Sequence, residues 1–346
     1  MERREFLTAA GFLGGISLFG WQLFVERSND TLSTNGIGVA TATPEPTPTE
    51  APTPEATTQT PELPPTETPE PDEETPTPTE TPTEAERRAQ QQLNQAERAL
   101  IEIVDLYTSG YGSELTDVTA SSTEFEGLST NMQIAFANAQ DDYTSAVSLA
   151  ANAEQQATAD RMQGCWQFLR QAIRTQEVVV EGYEHLDTVY DELERNNDSP
   201  AGLELDQLGT TRGRANRRYE TLKSESTAEA ASVIEPISIA EYENKLAQFE
   251  ADIAAYSDVE EPLRTIIDGV SWLSNAQNEM DKDNRNVQTA ITWARRAKDD
   301  LRRGRSELNS MRNDMAEPAT IGPLLKSFAS LVGDKIDEAN GIINRF

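Results

Sequence analysis

Apolar side chains recur at helical spacing along most of the chain beyond residue 85. Ala85, Ala89, Leu93, Ala96, Leu100, Ile103 and Tyr107 step by three or four and fall on one face. The same period returns in Met162, Trp166, Leu169, Ile173, Val180, Tyr183, Tyr190 and Leu193, then in Ile239, Tyr242, Leu246, Phe249, Ile253 and Tyr256. It continues through Leu263, Ile266, Val270, Leu273 and Met280, through Val287, Ile291, Ala294, Leu301, Leu308, Met311 and Met315, and through Leu325, Phe328, Val332, Ile336, Ala339 and Ile343. No segment alternates with the period of a strand. Helix-ending residues cluster at Asn196 to Pro200, around Glu235-Pro236, at Asp258 to Pro262 and at Glu317-Pro318. The pattern predicts an all-α fold of seven or eight helices, some of about 30 residues, in an antiparallel helical bundle or coiled-coil-like hairpins. Its seams are narrow and rich in Ala, which favours close packing.

One stretch, Asp142-Tyr143 to Ala146 and on to Ala153, resembles the second helix of a tetratricopeptide repeat, with small residues seven apart, and Ala290 to Ala297 echoes it. A steady 34-residue recurrence is lacking, so a tetratricopeptide-like α-solenoid stands as the alternative architecture.

The chain ahead of the helical pattern has a different character. Thr43 to Thr83 holds 13 of the 18 prolines, which remove backbone donors, and few apolar residues that would repay folding. At ~3.1 Å per residue this segment reaches on the order of 120 Å when extended, and its Thr/Pro density resembles the O-glycosylated stalks of surface proteins. Further upstream, Phe6 to Val25 is apolar or small except at Thr8, Ser17 and Gln22. Such a run approaches the length that crosses a ~30 Å hydrocarbon layer. Arg3, Arg4, Phe6 and Leu7 resemble the twin-arginine export signal, with Glu2 and Thr8 standing where that signal usually has Ser or Thr and Lys. The one good small-x-small cleavage candidate, Ala40-Thr41-Ala42, lies well beyond the apolar run, so retention as a membrane anchor is expected, with secretion after cleavage as the alternative. The expected layout is signal and anchor over 1–27, acidic Thr/Pro-rich disordered stalk over 28–85, and an all-helical extracellular domain over 86–346.

Charge narrows the partners. The formal net charge is −31, and the chain from Glu86 onward holds 45 acidic against 26 basic residues. A surface of this sign repels nucleic acid and anionic lipid. Only six basic residues are Lys, and Ala and Thr are abundant; this resembles the proteins of halophilic archaea, whose acid-rich surfaces stay hydrated in strong salt. With the Arg3-Arg4 pattern and the Thr/Pro segment, the whole resembles haloarchaeal envelope-anchored proteins exported by the twin-arginine route. The resemblance implies a place outside the membrane and names no activity.

Candidate chemistry is sparse. His185 is the only histidine, and Cys165 lies 20 positions away on the same predicted helix, hence roughly 30 Å from it. No Cys/His pair or His-containing metal centre follows. Cys165 reads as a small buried side chain and His185 as a helix-surface residue among Glu181, Glu184 and Asp187. Asp281-Lys282-Asp283-Asn284-Arg285-Asn286 invites a calcium-loop reading and fails it at Arg285 and Asn286. Phosphate-loop and Gly-x-Ser-x-Gly patterns are missing. Two basic clusters, Arg212/Arg214/Arg217/Arg218 and Arg295/Arg296/Lys298/Arg302/Arg303/Arg305, are expected to pair with acidic faces of neighbouring helices rather than to dock a polyanion. Asn29 and Asn197 begin sequons and read as candidate N-glycosylation positions. No catalytic residue, cofactor or metal is expected. The expected role is a structural or protein-interaction module bound to other envelope proteins, with a solute-binding or sensory ectodomain lined by Trp166, Trp272 and Trp293 as the alternative.

Overall fold

Thr83 and Glu86 open the helical part of the chain with a reciprocal cap: the Glu86 amide donates to Thr83 Oγ1 at 3.2 Å and the Thr83 amide donates to Glu86 Oε2 at 2.7 Å. The structure is a computed structural model and describes residues 82–345. Arg3, Arg4, Phe6, Leu7, Asn29 and nearly all of the Thr/Pro segment lie outside the described residues. Eight α-helices follow among the described residues, and no strand. They are α1 (Glu84–Thr108), α2 (Thr130–Leu149), α3 (Ala153–Glu194), α4 (Asp198–Glu225), the short α5 (Ala228–Ala231), α6 (Ile239–Met280), α7 (Val287–Asp314) and α8 (Gly322–Ile343). Glu84 and Ala85, counted with the stalk above, belong to α1.

The fold is a helical bundle built on α3 and α6. Each has 42 residues and is about 63 Å long at 1.5 Å per residue, between three and four times the length of an average helix. They run parallel: Phe168 meets Tyr242 with ring centroids 4.9 Å apart, and further along Gly182 faces the Tyr256 ring. Two parallel helices need a return path, and α4 provides it by packing antiparallel to both; Arg212 reaches Glu260 and Arg264 reaches Asp206 at 2.7 Å. At the far side α7 and α8 fold back in turn on α6, and the Tyr190 and Phe328 rings seat α8 against the end of α3. At the other end α1 and α2 form a hairpin against the first half of α3. The apolar faces join in one contiguous buried cluster.

Two sequence expectations change, and one helix seam joins those read from the sequence. The break at Asp258 to Pro262 does not occur, because α6 runs straight through Pro262. Proline removes one backbone donor there, but the helix buries a seam on either side against α4 and α7, and tertiary packing outweighs the lost bond. The seam of α4, Ala201, Leu205, Leu208, Thr211, Ala215, Tyr219 and Leu222, has full helical spacing and was not singled out, since Thr211 interrupts its apolar run. The tetratricopeptide-like stretch ending at Ala153 is not one helix; it crosses the break where Asn152 Oδ1 accepts from the Gln155 amide and caps α3. The repeat resemblance therefore does not extend to the architecture.

Helix contact at Pro262 depends on Gly304 of α7. A methyl group there would meet Ile266 Cγ1 at 2.6 Å and the Pro262 carbonyl oxygen at 3.0 Å, whereas Gly202 in α4 has open space around it. Gly304→Ala is expected to lower the unfolding free energy by about 1–3 kcal/mol by forcing α6 and α7 apart. Gly202→Ala, in a half-buried helical site with room for a methyl group, is expected to leave stability unchanged or raise it by up to about 1 kcal/mol. Denaturant midpoints of the two variants check both signs.

Candidate functional site

Between α1 and α2 the chain crosses the bundle as a connector, residues 109–129, with one turn of 3-10 helix at Leu115–Asp117. Leu115, Val118 and Ala120 of this connector are buried. Buried backbone groups that belong to no helix still require hydrogen-bond partners, and polar side chains from α3 and α6 supply them.

Lys245 of α6 is the centre. Its Nζ donates to the Val118 carbonyl at 2.6 Å, to Gln248 Oε1 at 2.7 Å and to Gln176 Oε1 at 2.8 Å. The two glutamines face the connector with their other ends: Gln176 Nε2 donates to the Thr119 carbonyl at 2.8 Å and Gln248 Nε2 to the Thr116 carbonyl at 2.9 Å. Tyr107 of α1 adds its hydroxyl to Gln176 Oε1 at 3.2 Å. Glu241 accepts from the Leu115 and Thr116 amides at the outer edge. One layer further along α6, Asp252 accepts from the Thr320 amide at 2.6 Å and from its hydroxyl, while Thr320 Oγ1 accepts from the Ala120 amide at 3.0 Å. The segment before α8 is thereby tied to the same connector.

Electrostatics at Lys245 pull in two directions. Burial pushes the ammonium down to about 7, against the pull of Asp252, Glu241 and Asp117. Three oxygens that can only accept, with the Phe249 ring at 4.6 Å and the Tyr107 ring at 5.4 Å, favour the charged form. Asp252 is pushed up to about 6 by burial, with the Thr320 hydrogen bonds and Lys245 working the other way. A lysine near neutrality is a nucleophile in an open pocket. Here Nζ is fully enclosed and all three of its protons are directed at oxygens, so the arrangement as it stands is a clamp on the connector.

Surface hollows lie elsewhere. A groove of about 420 Å³ between α4 and α6 is floored by Ile253 and Ala254 and edged by Tyr219, whose hydroxyl donates to Glu250 at 2.7 Å. Another, of about 540 Å³, lies where α1 and α3 begin, beside Glu86, Gln90, Asn152 and Gln155.

The residues singled out from the sequence are scattered. Cys165 is buried on α3, and desolvation pushes its thiol well above the ordinary range. His185 is half-buried rather than on the open helix surface, because α4 closes over it and its Nδ1 lies 2.9 Å from Glu204. Asp281 to Asn286 forms the turn from α6 to α7, where Asn286 Oδ1 accepts from the Thr289 amide and Glu279 Oε1 accepts from the Asn286 amide at 2.8 Å. Asn197 is exposed before α4 and donates to Glu192 at 2.7 Å. Among the basic clusters, Arg212 and Arg214 pair with Glu260 and Glu181 on neighbouring helices, Arg296 lies 5.0 Å over the Trp272 ring, and Arg303 pairs with Asp300 on its own helix. Arg217, Arg218, Arg295 and Arg302 are exposed and form no ion pair among the described residues, so the expected pairing with neighbouring helices holds for part of the first cluster and is not seen in the second. Trp166 is packed against Phe136 and Tyr143 of α2, away from Trp272 on α6, so these aromatics do not share one cavity. Among the described residues no group of three or more His, Cys, Asp and Glu is placed to hold a metal ion, and no helix is long and apolar enough to cross a membrane.

Lys245→Met leaves the Val118 carbonyl and Gln248 Oε1 without a donor and Gln176 Oε1 with the Tyr107 hydroxyl alone, and is expected to cost about 2–4 kcal/mol of stability. The pH dependence carries a sign for each charge. Between pH 7 and 10.5 the folded chain holds fewer protons at Lys245 than the unfolded chain, so this residue contributes rising stability with pH. Asp252 holds more protons when folded between pH 3.8 and about 6, so its contribution is present below 3.8 and lost as pH rises through 6. Denaturant midpoints measured across pH are expected to lose the alkaline rise in Lys245→Met and the acid-side fall in Asp252→Asn. Compared with protein-family models, with curated proteins and with solved structures, the chain matches none.

Proposed function

We propose that the chain is a membrane-tethered module of the cell envelope whose helical unit serves as a structural or protein-interaction element for other envelope proteins. The order of segments carries this reading: an apolar run behind Arg3-Arg4, an acidic Thr/Pro stretch, then a long helical bundle. In this reading the first part holds the chain at the membrane, the second is a spacer, and the third presents rigid surfaces. The bundle supports it through the 42-residue helices α3 and α6, and through a buried polar layer devoted to fixing the connector. The unit works by binding rather than turnover. Acid excess with Arg in preference to Lys suits a salty exterior, where self-repulsion is screened.

A second reading, a solute-binding or sensory ectodomain, is favoured by the groove between α4 and α6, which combines an apolar floor with the Tyr219–Glu250 pair.

Cells producing the full chain separate the tethered reading from its rivals. The protein is expected in the membrane fraction with Phe6 to Val25 retained in the mass of its N-terminal peptide. A protease added outside intact cells is expected to cut in the Thr/Pro segment and release the helical unit whole. A species beginning beyond Ala42 would replace tethering by secretion, and a chain protected inside the cell would sink the envelope reading.

A further inference from the structure

The α3/α4 face concentrates positive charge in a chain whose net charge is −31. A groove of about 350 Å³ is lined by Val178 of α3 and by Arg214, Arg217, Arg218 and Thr221 of α4. Arg170 and Arg174, one turn apart on α3, adjoin it: Arg174 feels Arg170 and Arg218 as neighbouring like charges, and Glu177 and Glu225 as opposite ones. Five guanidinium groups thus face three carboxylates, those of Glu177, Glu181 and Glu225.

Each of those carboxylates already has a partner. Glu181 holds Arg214, Glu177 accepts from the Leu128 amide at 2.8 Å, and Glu225 accepts from Gln171 at 2.7 Å. Arg170 is stacked 4.9 Å over the Trp166 ring. Arg217 and Arg218 remain exposed, with no ion pair among the described residues, and their charges are the excess of the patch. In this strongly acidic chain, two adjacent uncompensated arginines at the mouth of a groove call for an outside anion. The groove also sets its size. Arg214 and Arg218 are one helical turn apart, roughly 6 Å along the axis, which suits a single compact group and not a polymer lying along the helix. Two excess charges match a dianion better than one carboxylate. A phosphomonoester carries about −1.5 to −2 at pH 7 on three acceptor oxygens, and the planar guanidinium fork binds such oxygens in pairs. Val178 gives the esterified carbon an apolar wall.

We propose that this groove binds a phosphomonoester, with its terminal phosphoryl group held by Arg217 and Arg218 and flanked by Arg174 and Arg214. The inference is independent of where the chain resides. The recognised chemistry is the phosphoryl dianion, carried either by a free small ion or by a phosphorylated side chain of another protein.

Calorimetric titration of the full chain at fixed ionic strength tests it, with inorganic phosphate, a phosphoserine peptide and succinate as probes. Saturable binding is expected for at least one phosphoryl probe, with succinate weaker by about tenfold or more. Saturation by phosphate alone identifies a free ligand, saturation by the peptide alone identifies a displayed one, and either supports the groove. The pair Arg217→Gln/Arg218→Gln, both exposed, is expected to keep the unfolding midpoint while weakening binding by about tenfold or more. Arg295→Gln/Arg302→Gln on α7 is expected to change nothing. No saturation by either phosphoryl probe, equal affinity for succinate, or an equal loss in the α7 pair would overturn the assignment.

Discussion

The unpaired backbone of one connector governs the interior of this bundle. Where the chain passes between α1 and α2 it leaves helical structure and goes under cover, so the carbonyls of Thr116, Val118 and Thr119 must find donors inside the protein. Water is excluded there, and an unmet carbonyl costs far more than the average net gain of a hydrogen bond. That need explains why a lysine and two glutamines occupy positions on α3 and α6 that would otherwise hold Leu or Ile. It also explains why the three are joined to one another: each amide group accepts from Lys245 and donates to the connector, and no polar end of the layer is left without a partner.

The helices were legible in the sequence because their apolar residues keep a strict period, and the ends at Asn196 to Pro200, Glu235-Pro236 and Glu317-Pro318 were legible because Asn and Pro gather there. Pro262 misled because a local signal was opposed by long-range packing, which no window of neighbouring residues records. Helix α4 went unmarked for a related reason: its buried Thr211 hydroxyl lies beside Glu181, so a polar residue fills a core position. The same substitution of polar for apolar marks the interior layer. Gln176 falls three residues after Ile173 and four before Val180, and Lys245 three after Tyr242 and four before Phe249, each on the stripe that the apolar period defines. Asp252 takes the corresponding place between Phe249 and Tyr256. A charged residue in register with a core stripe was therefore the available signal. What the sequence does not contain is its partner, because the connector backbone that these side chains serve has no side-chain signature.

The surface divides on different grounds from the core. Acidic residues are spread over every helix, and arginines serve as partners for acids on their own or adjacent helices and as lids over aromatic rings. Long guanidinium side chains suit both tasks, since their stems cover apolar seam while the head remains in contact with solvent. This reduces the positive charge left unmatched to a few places, one of which is the α3/α4 groove.

The connector clamp also joins parts of the chain that are far apart along it. Lys245 meets Val118 across 127 residues, Gln248 meets Thr116 across 132, and Asp252 meets Thr320 across 68. Closing loops of that length costs more entropy than closing the hairpins α3/α4 or α6/α7, whose contacts begin a few residues from their turns. Assembly therefore has a natural order in which the hairpins form first and the connector is sealed afterwards. The most buried polar layer of the molecule is then the last to be completed as the chain folds.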